Sequence, residues 1–360
     1  MTSDRSDFSG FFAGKVLKVW LLIGLFFIIC EVGMRYRAVQ RFGQIRSTMI
    51  ADDPVEGRRL IPGFVSKGVL RTITINEHGF RSNTDSTSFS LQPPPGTLRI
   101  ACLGSSTVFS GMSNSNGDTF PAVLEKTLND DLKGHPPVEV VNAGIPGMGT
   151  EAVQKHLELR VSKAQPHIAV IYPPPNDLGT EIEGPGRQAA DNTHFLKRWR
   201  KEHSVLYNAV LDKVRQMSLS PSAAAAQFRH FPQDGKEHLV AKYRQLIAVC
   251  RSLHIEPVLV LHTFLLRKDQ SPAVQRKNIR GDFWGLGVSG ALEAVDAQIE
   301  ATREAAAAEN VLLIDTEFCV PATDEYFEDT LHLSPKGNAV LAETAADGLK
   351  KGKIIPEAVR

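Results

Sequence analysis

Arg99-Ile100-Ala101-Cys102-Leu103-Gly104-Ser105-Ser106-Thr107 is the stretch whose reading decides the fold. A short apolar run ends abruptly in glycine and hydroxyl residues. Such a run reads as a strand buried on both faces. Residues 120–132 follow with helical spacing at Phe120, Leu124 and Leu128. Working outward, strand-like runs recur at 138–143, 168–172, 257–261 and 311–314. Helical patterns separate them at 151–161, 239–253, 292–299 and 335–349. Alternation of this kind implies right-handed crossovers and a parallel sheet. The expected fold is α/β: a three-layer α/β/α arrangement around a five-stranded parallel sheet, flavodoxin-like in class.

The rest of the chain is bounded by composition. It has 360 residues, with 41 Lys+Arg against 40 Asp+Glu. That balance lacks the basic excess needed to neutralise phosphates, so nucleic acid is excluded as the expected partner. Charged residues at 22% and hydrophobic residues at 42% are globular values. Four cysteines, none in a C-x-x-C pair, offer neither a disulfide framework nor the usual zinc spacing.

The N-terminus carries a membrane signal. Residues 19–30 hold no charge, and the apolar stretch extends over about 16–34. Lys18 can snorkel at one edge, Glu31 can lie among headgroups at the other, and Trp20 suits an interface belt. The residues after the run make a poor cleavage site. An uncleaved anchor is therefore expected in residues 1–35. Residues 36–96 are expected to form a stalk and a small extended region, closed by Pro93-Pro94-Pro95-Gly96. The main α/β domain is expected at 97–352. Insertions are expected at about 178–236, including the low-complexity residues 223–226, and at 263–289. Arg5, Lys15 and Lys18 before the span are matched by Arg35, Arg37, Arg41 and Arg46 after it. Charge thus leaves the topology open.

Four polar clusters follow the carboxyl ends of expected strands: Gly104-Ser105-Ser106-Thr107, Asn142-Ala143-Gly144-Ile145-Pro146-Gly147, Pro174-Pro175-Asn176-Asp177 and Asp329-Thr330-Leu331-His332. A parallel sheet brings such ends to one rim. In these blocks the chain resembles the SGNH/GDSL hydrolase superfamily, over roughly residues 97–350. Ser106 matches the nucleophile of the G-D-S block. Gly147 matches the second block's glycine, with Gly144 as the alternative. Asn176 and Asp177 match the end of G-x-N-D, with Pro174 standing where the glycine belongs. Asp329 and His332 match D-x-x-H. Asn76 and Gly79-Phe80-Arg81 also resemble membrane-tethered bacterial members.

The resemblance implies a serine esterase acting through an acyl-enzyme. Ser106 would attack, His332 would shuttle the proton and Asp329 would orient it. The Ser106 and Gly147 amides with the Asn176 side chain would form the oxyanion hole. Chemistry agrees: a serine hydroxyl needs an adjacent base, and a developing oxyanion needs aimed donors. Ser334-Pro335 supplies an N-cap and N1 pair that would seat the histidine loop on a helix. No cofactor or metal is expected.

The expected partners are the membrane and an acylated small-molecule, lipid or carbohydrate substrate. An O-acetyl group on an envelope carbohydrate comes first. Anchored relatives imply an extracytoplasmic catalytic domain, periplasmic or at the cell surface. An O-acyltransferase with the same triad, or a non-catalytic carbohydrate-binding or assembly protein, remains open.

Other sites read more weakly. Val108 stands where a G-x-S-x-G elbow needs glycine. Gly144, Gly147 and Gly149 have the wrong spacing for a dinucleotide fingerprint. Cys102 reads as a small buried hydrophobe and His262 as a loop histidine. Phe283 and Trp284 could stack on a sugar or bury against the sheet.

Overall fold

The computed structural model describes residues 5–42, 49–132, 136–183, 204–207, 210, 230–279 and 283–355. Most of the insertion expected at 178–236, with residues 223–226, lies outside the described residues, as do 280–282 within 263–289.

Five parallel strands form the central sheet: β5 (Leu98–Gly104), β6 (Val138–Gly144), β7 (Ile168–Ile171), β8 (Glu256–Val260) and β9 (Leu312–Ile314). Their order is β6-β5-β7-β8-β9. This is the flavodoxin-like order, in which the chain reverses its winding between the first and third strands of the sheet, here β5 and β7. Alternation along β5 divides the core. Leu98, Ile100 and Cys102 face one layer with Leu124, Leu128, Leu341 and Ala345. Ala101 and Leu103 face the other with Leu157, Leu246 and Ile299. Successive strand side chains point to opposite faces, so a strand between two helical layers must be apolar throughout.

Helices α2 (Ser106–Phe109), α3 (Phe120–Asp131), α4 (Thr150–Leu159) and α5 (Asn176–Glu183) follow β5, β6 and β7 in turn. The chain continues through α6 (Gly235–Ser252), α7 (Pro272–Asn278), α8 (Val288–Glu309) and α9 (Pro335–Lys351). The start of α9 is chemical: Pro335 stands in its first turn and the Ser334 hydroxyl accepts from Gly337 N–H.

Helix α1 (Arg5–Phe42) carries the apolar N-terminal run. It contains one segment long and apolar enough to cross a membrane, Lys18–Gln40. The charged stretch read as a stalk is helical as far as Phe42 and takes another form beyond Met49. There β1 (Ile50–Asp53) and β2 (Gly57–Leu60) make an antiparallel hairpin, followed by β3 (Val65–Lys67) paired with β4 (Thr72–Thr74). Leu60, Ile73, Ile75 and Phe80 join the same apolar cluster as Ala101 and Leu103.

One of the hairpin's charges is paired in the interior. Glu56 is 2% exposed. Its carboxylate lies 2.7 Å from His156 Nδ1 and accepts from Arg160 Nε. Arg81 is also buried, donating from Nη1 to the carbonyls of Phe109 at 2.6 Å and Ser110 at 2.8 Å. The Asn76 carboxamide accepts from the N–H groups of His78 and Phe80, which shapes the turn at Gly79.

Candidate active site

Ser106 opens α2 two residues beyond the end of β5. Its hydroxyl lies 2.8 Å from His332 Nε2. His332 Nδ1 lies 2.6 Å from Asp329 Oδ2. The other Asp329 oxygen accepts from the N–H groups of Leu331 (2.9 Å) and His332 (2.8 Å). With a carboxylate at Nδ1, the ring carries its proton there and leaves Nε2 free to accept from Ser106. Burial works against ionisation of Asp329, but bonding to His332 and the two backbone amides holds its carboxyl below the ordinary range.

The loop holding His332 is braced from both ends. Phe327 bridges to Leu333, and Glu328 N–H donates to His332 O. The Ser334 hydroxyl donates to Glu325 O while also capping α9. Thr330 is tied down twice: its carbonyl accepts from Leu265 N–H, and its hydroxyl donates to Asn278 O.

Gly147 and Asn176 reach the same rim from the strands that flank β5. Gly104 is in register with Gly144, and Tyr172 N–H donates to Leu103 O. Three chain ends therefore leave the sheet level with one another, with the Ser106 segment in the middle. Gly147 and Asn176 line one cleft of about 700 Å³. Ser106, His332 and Asp329 are not among the residues that line it.

The two candidate glycines differ in kind. A Cβ at Gly144 would run into the Phe109 amide and the Ser105 carbonyl, so Gly144 serves close packing of α2 on β6. Gly147 is exposed, with φ +83°, a conformation that side chains rarely adopt. The structure thus separates the packing glycine from the one that faces the cleft.

Pro174 does not disturb the Asn176 turn. The carbonyls of Pro174 and Pro175 accept from the N–H groups of Asp177 and Leu178, which starts α5. Neither bond needs an N–H from a proline. Asp177 is buried, and its carboxylate accepts from both Thr150 N–H (3.0 Å) and the Thr150 hydroxyl (2.6 Å). Burial pushes its carboxyl up to about 6 despite those bonds and Lys242 nearby.

The remaining sequence candidates settle into packing. Cys102 is fully buried, and burial pushes its thiol far up. His262 lies in the loop after β8, as expected, and is fully buried there, stacked on Tyr172 with ring centroids 4.4 Å apart. Burial holds it neutral, with its acidity near about 3. Phe283 is buried, while Trp284 lines the cleft.

A parallel sheet in this order, with polar loops at one carboxyl rim, defines a doubly wound α/β fold whose ligand site lies at that rim. The chain belongs to the GDSL-like lipase/acylhydrolase family, whose model matches residues 102–340. Among solved structures it is similar to the lipase/acylhydrolase from Enterococcus faecalis, at 17% identity and TM-score 0.42, covering 71% of this chain and 96% of that one. It is also similar to an acetylxylan esterase from Geobacillus stearothermophilus, at 15% identity and TM-score 0.43, covering 71% and 94%. No curated protein matches it.

Proposed function

We propose that the chain is a membrane-anchored serine esterase that cleaves an oxygen ester through an acyl-enzyme. The observation that carries this reading is the unbroken hydrogen-bonded line Ser106–His332–Asp329. His332 Nε2 takes the Ser106 proton as Oγ attacks the acyl carbon. The tetrahedral intermediate collapses, and the same proton goes to the departing alcohol. Water then repeats the sequence on the acyl-enzyme: His332 takes its proton, and the acid leaves as Ser106 regains its hydrogen. Asp329 fixes the ring and stabilises the imidazolium.

The Ser106 and Gly147 amides and the Asn176 side chain hold the oxyanion. Their loops flank one another on the rim, which supports that assignment. The preferred substrate is an O-acylated envelope carbohydrate, for which an open, mostly polar cleft with a Trp284 wall is suited.

Helix α1 is the anchor in this reading. Its 23-residue apolar segment spans about 34 Å at 1.5 Å per residue, enough for a hydrocarbon core of about 30 Å. Its apolar part is exposed, while Glu31 accepts from Ser204, Val205 and Leu206. The extracytoplasmic side is proposed for the catalytic domain from the resemblance to anchored bacterial members, not from the charges flanking the helix.

Fluorophosphonate labelling of the full chain in detergent tests the central claim. Labelling of the parent and not of Ser106→Ala is expected. A folded parent that stays unlabelled overturns the esterase reading.

A further inference from the structure

We propose that the cleft beside Gly147 binds an anionic substrate, an acylated carbohydrate carrying a carboxylate or phosphate, held by Arg58 from the β1–β2 hairpin with Lys155 beside it. This rests on the esterase reading and names the substrate class for the cleft that adjoins its proposed oxyanion donors Gly147 and Asn176.

The hairpin lies outside residues 102–340, the segment that defines the family. It nevertheless forms one side of the cleft. The exposed Arg58 guanidinium lies against the bare face of Gly147, where any Cβ would collide with its Nη1. The same Nη1 is 3.5 Å from Pro146 O. The side chain therefore sits at the corner of the cleft next to a proposed oxyanion donor.

Most of the acids around it have partners of their own. Glu56 is neutralised by His156 and Arg160, and Lys242 lies 2.8 Å from Glu181. The Asp177 carboxylate is taken up by the Thr150 amide and hydroxyl and lies 4.0 Å from Lys242. Arg59, the neighbour of Arg58, lies 3.8 Å from Asp53. Among the described residues Arg58 and Lys155 have no ion-pair partner, against one similarly unpaired cleft carboxylate, Glu151. A guanidinium presents a planar fork that fits carboxylate and phosphate oxygens, and an exposed one keeps its donors for a ligand.

The hairpin is also stiff where it must be. The Asp53 carboxylate accepts from the N–H groups of Val55 and Glu56, and Glu56 is buried against α4. Arg58 is thus delivered to the cleft by a fixed turn, not by a loose tail.

The test is calorimetric binding to the full chain in detergent, in the Ser106→Ala background so that nothing turns over. The probes are trigalacturonate, glycerol 3-phosphate and neutral maltotriose. Preferential binding of at least one oxyanion probe is expected, and which one binds tells carboxylate from phosphate. Arg58→Ala should weaken that binding by about tenfold or more, with Arg58→Lys intermediate and the melting temperature unchanged. Equal binding of maltotriose, no binding of either anion at millimolar concentration, or unchanged affinity in Arg58→Ala overturns the proposal. Fluorophosphonate labelling of the parent chain reads the esterase claim separately, so failure of one is distinguishable from failure of the other.

Discussion

The buried carboxylate of Asp177 accepts two hydrogen bonds from Thr150, one from its amide and one from its hydroxyl. The two residues begin neighbouring elements: Thr150 is the first residue of α4 and Asp177 the second of α5. Gly147 lies three positions before one, and Asn176 directly before the other. The pair therefore locks together the two loops assigned to the oxyanion hole. An ionised carboxylate near an α-helix N-terminus is favoured by the helix dipole, yet full burial prevails here and pushes the group up to about 6.

That balance fixes a pH dependence. A carboxyl raised in the folded state binds its proton more tightly there than in the unfolded chain. Its stabilising contribution is complete below the ordinary value near 3.8 and is lost as pH rises through about 6. The loss is on the order of 2–3 kcal/mol. Urea unfolding of the parent and of Asp177→Asn, followed from pH 4 to pH 7 in about half-unit steps, should give curves that converge at one end and separate at the other. Parallel curves would show that Asp177 titrates as an ordinary surface carboxyl.

The proline at 174 should be neutral for chemistry. Its carbonyl already accepts from Asp177 N–H, and the turn asks for no donor at that position. Pro174→Gly is expected to leave turnover within a few-fold and to lower stability by about 0.4–1 kcal/mol, because the unfolded chain gains freedom. Asn176→Ala should instead cost about 10²–10³ in turnover with little change in KM, the signature of a lost oxyanion donor. Turnover of 4-nitrophenyl acetate by both variants separates the two cases. A large loss in Pro174→Gly would mean that the proline itself sets the catalytic turn.

Much of this was legible in the sequence because it is local. The run 99–107 contains both a buried strand and the serine that follows it, and Ser334-Pro335 announces its helix within two residues. The D-x-x-H spacing is closed by a bond between residues three apart. What escaped depends on partners far apart in the chain. Glu56 meets His156 across 100 positions, and Asp177 meets Thr150 across 27. Arg58 meets Pro146 across 88. In a charged stretch such as 50–60, nothing tells a solvated stalk from a hairpin whose acids are matched to a distant helix. Of residues 69–75 only Thr72–Thr74 form a strand, β4, because Gly68 and Arg71 form the turn before it. His262 sits in the expected loop after β8, but its stacking on Tyr172 escaped for the same reason: it joins the ends of two strands, and only the sheet makes them neighbours.

The Glu56 cluster should dominate the stability of the N-terminal hairpin. Glu56→Ala leaves His156 and Arg160 facing each other without an acceptor. Removing one partner of a buried ion pair costs about 3–5 kcal/mol. Burial opposes the charge on Glu56, but His156 and Arg160 hold its carboxyl below the ordinary range. The stabilisation is therefore present above the unfolded value and fades as pH falls through the folded one. A fall in the urea midpoint at pH 7 that shrinks toward pH 3 is expected in Glu56→Ala relative to the parent. A midpoint that does not move would mean that apolar contacts such as Leu60 hold the hairpin alone.

Asp329→Asn tests the role of the triad carboxylate without removing its volume. The side-chain oxygen that accepts from Leu331 and His332 N–H survives the change, so the loop keeps its shape. The position facing His332 Nδ1 becomes an amide N–H₂, which can only donate. The ring must then place its own proton on Nε2, facing Ser106, and can no longer accept from the hydroxyl. Turnover should fall by roughly 10⁴-fold with KM little changed. Fluorophosphonate labelling should slow in step, because both reactions need the same deprotonation of Ser106. If labelling and turnover both persist near the parent's rates, His332 is activated without its carboxylate. The line from Asp329 to Ser106 would then be a structural feature and not a catalytic one.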